Sequence, residues 1–198
     1  MKTFIASDIH FGHRNIIKYC PKRANQVWGL EDEIPDSEIH LMNERIVSNW
    51  NSVVSPEDET YILGDVCMGI VENTSKYIDR LNGKKYLVRG NHDKTLTRIK
   101  DGVSYADGRF EFVKDYHEMS FKVDGVKHML IMSHFPISHW NGMNQGTIML
   151  HGHLHGSPSG LTGRIFDVGI DTNDLKPYLL EDVVRKMSKI NVIREHHE

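Results

Sequence analysis

Lys84-Lys85-Tyr86-Leu87-Val88-Arg89-Gly90-Asn91-His92-Asp93 holds a short apolar run, Tyr86 to Val88, that breaks at Gly90 into three polar residues with no helical period. That pattern predicts a buried strand feeding a loop built for chemistry. Asn91 offers a neutral carbonyl oxygen, His92 an imidazole that titrates near neutral pH, and Asp93 a carboxylate able to orient that imidazole. Alone, the tripeptide would read as an ordinary surface turn. Its weight comes from four other strand ends that supply the same residue types.

Thr3 to Ala6 predicts a first strand, followed by Ser7-Asp8-Ile9-His10-Phe11-Gly12-His13-Arg14. Asp8 and His10 are two apart, so in extended backbone both point to one side and can bind one cation together. Thr60 to Leu63 runs into Gly64-Asp65. Val126 to Ser133 ends at His134, and Thr147 to Leu150 ends in His151-Gly152-His153-Leu154-His155. Between these strands, Asp36 or Ser37 reads as the N-cap of a helix whose face is Ile39, Met42, Ile46 and Trp50. Val71 to Leu81 predicts another helix, stopped by Asn82-Gly83. The first half is thus β-α-β and favours parallel pairing.

Residues 16 to 35 show no period and predict a long connection. Phe110 to Val113 and Glu118 to Val123 alternate like strands, and Asp124-Gly125 is a two-residue hairpin signal before the return strand. Residues 163 to 170 predict a last strand, and 181 to 190 a closing helix. Open α/β sheets bind ligands at the carboxyl ends of their strands, so the five clusters are expected to converge.

Composition narrows the class. At 198 residues the chain is expected to form one domain over 1–198, long enough to bury roughly 70% of its unfolded surface. Two cysteines, Cys20 and Cys67, are too few for a disulfide framework or a zinc knuckle, and Cys67 reads as a small buried filler. The N-terminal apolar run is too short for a signal peptide or a membrane span, so a cytoplasmic protein is expected. With 24 Lys and Arg against 27 Asp and Glu, the net charge of −3 argues against long contact with a nucleic-acid backbone. Histidine is the outlier, with 13 in the chain.

Seven nitrogen and oxygen donors exceed one tetrahedral zinc site. They suit two cations about 3.5–4 Å apart that share a carboxylate. The lack of thiolates favours Mn²⁺, Fe, Co²⁺, Ni²⁺ or Zn²⁺ in a reactive site over a structural zinc.

In order, the blocks are Asp8-x-His10, Gly64-Asp65, Gly90-Asn91-His92-Asp93, His134 and Gly152-His153-x-His155. This ordered set resembles the calcineurin-like metallophosphoesterase superfamily. The further runs His10-Phe11-Gly12-His13-Arg14-Asn15-Ile16-Ile17 and Ser133-His134-Phe135-Pro136 look like its small bacterial and phage-type branch. The resemblance implies a two-sheet β-sandwich flanked by helices, with Asp8, His10 and His155 on one metal, Asn91, His134 and His153 on the other, and Asp65 bridging. It implies Mn²⁺ first among the possible metals, attack by a bridging hydroxide, and His92 as the acid with Asp93 behind it.

His151 reads as structural support beside these residues. Arg14 is a candidate phosphate clamp, and His13 and His139 are candidate pocket residues. The substrate expected is a small phosphoester, nucleotide-like, as a diester or a monoester. A metallo-β-lactamase reading fails because position 155 is His and position 156 Gly, where that motif needs Asp and His. A metal-binding scaffold without turnover is the remaining alternative, and the presence of His92 argues against it.

Overall fold

A computed structural model describes residues 1–68 and 70–192, so Gly69 and the last six residues of the expected 1–198 unit lie outside the described residues. In chain order its strands are β1 (Thr3–Ala6), β2 (Glu59–Ile62), β3 (Lys84–Val88), β4 (Val113–Lys114), β5 (His117–Val123), β6 (Val126–Met132), β7 (Ile148–His151), β8 (Ile165–Asp167) and β9 (Tyr178–Leu179). The helices are α1 (Ile16–Tyr19), α2 (Asp36–Asn51), α3 (Val71–Thr74), α4 (Lys94–Thr97) and α5 (Leu180–Ser188). The strands form two sheets, ordered β4-β3-β2-β1-β9 and β5-β6-β7-β8.

The apolar runs of β1, β2 and β3 are nearly continuous because both faces of the first sheet are covered. Along β1, Phe4 and Ala6 pack with Met42, Ile46 and Trp50 of α2. Ile5 points the other way, into a core shared with Leu63, Val88 and the second-sheet residues Leu130, Met132, Ile148 and Leu150. Alternate residues therefore serve two cores, one under the helices and one between the sheets. α5 closes the edge of the second core with Leu180, Val183, Val184 and Met187.

β1, β2, β3 and β4 run parallel, as expected from the β-α-β pattern. The second sheet is less of a hairpin than its sequence suggests. β5 and β6 are antiparallel across Asp124-Gly125, where both residues adopt positive φ (50° and 82°), but β6, β7 and β8 run parallel. Parallel pairing sends the ends of β6 and β7 the same way along their sheet, which sets His134 and His153 side by side. Gly152 N–H donates to the His134 carbonyl at 3.0 Å and fixes this alignment.

Several local expectations are corrected. α2 begins at Asp36 with Pro35 as its N-cap and no capping side chain; Pro pre-sets the extended backbone from which the helix starts. The helix expected over 71–81 is one α-turn followed by a 3-10 segment, Ser75–Arg80. There Asn73, Thr74 and Ser75 compete with the helical ladder, and the Thr74 hydroxyl donates to the Ile70 carbonyl at 3.3 Å. β9 was not expected, since two residues carry no period; it pairs antiparallel with β1 through Phe4 and Ile5. Among the described residues no helix is long and apolar enough to cross a membrane.

Candidate metal centre

The ends of β1, β2, β3, β6 and β7 meet. Asp8 N–H donates to the Gly64 carbonyl and His10 N–H to the Asp65 carbonyl, at 3.0 and 2.9 Å, which ties the first two loops together. Gly90 sits against Asp65, where an added Cβ would collide with the carboxylate; Gly152 sits against Ser7 and Asp8 in the same way. Glycine at these two points lets backbone approach a carboxylate that would otherwise be held off. Asp8, His10, Asp65, His153 and His155 all have positive φ, between 50° and 72°. Non-glycine residues adopt that region at a cost, and such strain collects at functional sites.

Two triads of potential ligand atoms without a thiol result, Asp8, His10 and His155, and Asp65, His134 and His153, the atoms of each lying within 4.8 Å of one another; a third group meeting the same limit, Cys20, His155 and Asp171, shares His155 with the first. Asn91 joins the second, its Oδ1 3.0 Å from His134 Nε2. Asp65 stands between them. Its Oδ2 is 3.6 Å from His10 Nε2, 3.4 Å from His134 Nε2 and 3.9 Å from His92 Nε2, while its Oδ1 accepts from His92 N–H at 2.9 Å.

The protons argue that a cation belongs here. His134 Nδ1–H donates to the Leu63 carbonyl at 2.7 Å, and His155 Nδ1–H to Asp171 Oδ2 at 2.7 Å. In the neutral rings both Nε2 lone pairs then face acceptors: Asn91 and Asp65 in one case, Asp8 Oδ1 at 3.8 Å in the other. His10 Nε2 is buried with no hydrogen-bond partner. Acceptors facing acceptors are repulsive unless a positive charge lies between them. The titrating groups respond to burial and to one another. Burial lifts the Asp8 carboxyl to about 6. Burial, with Arg23 and His13 adding to it, holds His10 well below the usual imidazole range. Burial would also lower His155, but Asp171, Cys20 and Asp8 outweigh it and raise the imidazole to about 10. The donor set, carboxylates, imidazoles and an amide oxygen without a thiolate in either triad, fits divalent cations of the Mn²⁺, Fe, Co²⁺, Ni²⁺ and Zn²⁺ kind.

His92 lies at the open side of the site with its side chain 39% exposed, 5.6 Å ring to ring from His10. Asp93 does not orient it. The Asp93 carboxylate turns back and accepts three backbone N–H groups, from Asp65 and Gly90 on Oδ2 and Val66 on Oδ1, at 2.7–2.9 Å. It therefore shapes the loop that carries Asp65, a structural task the sequence did not reveal. His13 is brought in: its Nδ1 is 3.2 Å from His10 Nδ1, and burial with nearby His92 lowers it to about 4. His139 is exposed and bonds Ser138, apart from the cluster. Arg14 donates to the Ile34 carbonyl and to Asp36, so its fork is already engaged away from the carboxylates of the site. His151 is buried, with Nδ1 2.9 Å from the Gly152 carbonyl, a structural setting.

Three comparisons bear on the assembled site. An uncharacterized protein of Methanocaldococcus jannaschii is 29% identical, covering 98% of this chain and 95% of that protein. The gene 66 protein of Mycobacterium phage D29 is 28% identical, covering 98% of both. Among solved structures, a protein of unknown function from Aquifex aeolicus shares the fold at a TM-score of 0.62, with 22% identity over 93% of this chain and 98% of that one. The pattern of the calcineurin-like phosphoesterases matches residues 1–197, from before the first strand-end cluster to beyond the last. The chain belongs to this divalent-metal-dependent family of phosphoesterases.

Proposed function

We propose that the chain hydrolyses a phosphodiester bond of a small nucleotide-like molecule, monoesters being the second choice, with two divalent cations, Mn²⁺ foremost. Asp8, His10 and His155 would hold one and Asn91, His134 and His153 the other, with Asp65 shared. The observation that carries this reading is the position of Asp65, whose Oδ2 faces imidazoles of both triads within 3.6 Å. Bound cations would supply a nucleophile at neutral pH and offset the charge of the phosphoryl oxygens. The residues then divide the remaining work. Leu63 and Asp171 fix the tautomers of His134 and His155, so each presents Nε2 to the site. His92, held through its backbone N–H on Asp65, presents its ring at the open side, where it would protonate the departing oxygen.

A groove of about 520 Å³ beside Asn91 and His134 supports the nucleotide-like choice. Its lining includes the Phe135 ring, 47% exposed and 4.7 Å from the His153 ring, and Lys94. An exposed aromatic face next to a phosphoester site suits a planar base, and a lysine suits a second anionic group. The test is a screen of metal-stripped protein, without metal and with each of Mn²⁺, Fe²⁺, Co²⁺, Ni²⁺ and Zn²⁺, against cyclic and linear dinucleotides, nucleotides and bis-p-nitrophenyl phosphate. Metal-dependent turnover of a nucleotide diester above the chromogenic one is expected; no turnover of any ester with any of the five metals would remove the proposal.

Arg14 would serve as a clamp on the phosphate by exchanging Asp36 for substrate oxygens. Arg14→Ala should then raise KM on the order of tenfold, with metal content unchanged, and Arg14→Lys should recover part of the loss. Wild-type kcat/KM in Arg14→Ala would leave Arg14 as a tether between the first loop and α2.

A further inference from the structure

The connection from Cys20 to Pro35, which has no period in sequence, delivers a fully buried arginine to the underside of the site. Arg23 has no exposed surface, and four of its five N–H donors meet protein acceptors. Nε and Nη2 donate to the two carboxylate oxygens of Asp171 at 2.7 and 2.8 Å, Nη1 to the Ile9 carbonyl at 2.8 Å, and Nη2 also to the Asp8 carbonyl. Asp171 in turn accepts His155 Nδ1–H at 2.7 Å. One guanidinium thus grips the main chain of the Asp8–Ile9 turn directly and the His155 imidazole through a carboxylate 148 residues away in the chain.

Asp8 and His155 belong to the same triad. The other triad has separate supports: Leu63 on His134, and the His92 and Asp93 contacts on Asp65 and its loop. A buried ion pair adds little stability over apolar side chains of the same volume, since desolvation consumes most of the Coulombic gain. What apolar side chains could not do is hold two carbonyls and one imidazole at fixed angles. The backbone at Asp8 is left-handed, with φ 58°, and so is that at His155, with φ 50°; both need holding from outside.

We propose that Arg23 and Asp171 are positioning residues for one of the two cations: they set the Asp8 turn and the His155 tautomer, and the affinity of that cation alone depends on them. The proposal rests on the two-cation reading above. Groups that orient a metal-binding histidine typically change affinity 10- to 100-fold when altered. Asp171→Asn keeps the shape but can turn its amide N–H toward Nδ1, which moves the imidazole proton to Nε2 and blocks that nitrogen as a ligand.

Mn²⁺ is titrated into metal-stripped wild type, Asp171→Asn and Arg23→Lys, followed by calorimetry and Mn²⁺ spin resonance. The His155 tautomer is read by ¹⁵N NMR in the metal-free proteins, and melting is recorded alongside. In Asp171→Asn one equivalent should weaken about 10- to 100-fold and the other stay within about threefold, with the tautomer signal shifted. Arg23→Lys, whose single ammonium cannot span all four acceptor oxygens, should weaken the same equivalent by less, and it decides the matter if Asp171→Asn does not fold. Equal weakening of both equivalents at unchanged melting, or no change in either affinity or tautomer, overturns the proposal. A wild-type protein that takes up no Mn²⁺ would overturn the two-cation reading, while the tautomer measurement would still report on Asp171.

Discussion

Asp65→Asn should remove both cations and lower kcat/KM on the order of 10³-fold or more. A carboxylate whose Oδ2 faces His10 Nε2 at 3.6 Å and His134 Nε2 at 3.4 Å supplies negative charge to both halves of the site at once. Asparagine keeps one acceptor for the His92 N–H, which Asp65 Oδ1 holds at 2.9 Å, and this directs the amide N–H₂ toward the imidazoles. A partial positive charge then sits where the carboxylate faced both triads. Stabilisation of phosphoryl charge by cations amounts to several kcal/mol, and each 1.4 kcal/mol is about a factor of ten in rate. Metal analysis after equilibration with Mn²⁺ reads the first effect, and turnover of the best diester reads the second. Two equivalents bound at wild-type affinity in Asp65→Asn would show that the triads do not share this carboxylate.

His92→Ala should behave in the opposite manner, keeping both cations while kcat falls by roughly 10²–10⁴-fold, the span usual for a general acid. Its link to Asp65 runs through the backbone N–H, which alanine retains, and its ring nitrogen is 3.9 Å from the Asp65 carboxylate. Leaving groups separate an acid from a structural prop. A p-nitrophenolate ester departs without needing a proton, so the variant should lose far less on it than on an ester with an alkyl or ribosyl leaving group. Equal losses on both would take the acid role away from His92.

What could be read from sequence was chemistry placed at the ends of apolar runs. Asp8, Asp65, Asn91, His134 and His153 each follow a strand, and parallel pairing within each sheet gathers such ends without any further information. Arg23 and Asp171 are not legible because each lies in a three-residue 3-10 turn, Pro21–Arg23 and Ile170–Thr172, too short to carry a period, and their pairing spans 148 positions. Asp171 does follow β8 within four residues of Asp167, the one local sign it offers. The partners of Asp93 are hidden for a different reason. Its neighbour His92 suggested a side-chain partner, whereas the tight turn aims the carboxylate at backbone N–H groups of its own loop and of residues 65 and 66. Periodicity also overstated the helix after Val71, because period alone does not register the competition from Asn73, Thr74 and Ser75.

The left-handed backbone at Asp8, His10, Asp65, His153 and His155 carries a consequence for how the chain can change. Each such residue forgoes roughly 1 kcal/mol that glycine would recover at the same φ. Glycine at Asp8, Asp65 or His155 would relieve that strain but strip the partner from His153 N–H, His92 N–H or Asp171, so the relief is unopposed by loss of a backbone N–H or carboxylate hydrogen bond only at His10 and His153. Selection for thermal robustness alone would push these two positions toward a quieter protein with an empty cleft, and only a requirement for turnover pushes back. The site is thus a place where durability and activity pull in contrary directions, and a stabilised variant of this chain is best sought in α2, α5 and the sheet faces, away from those five turns.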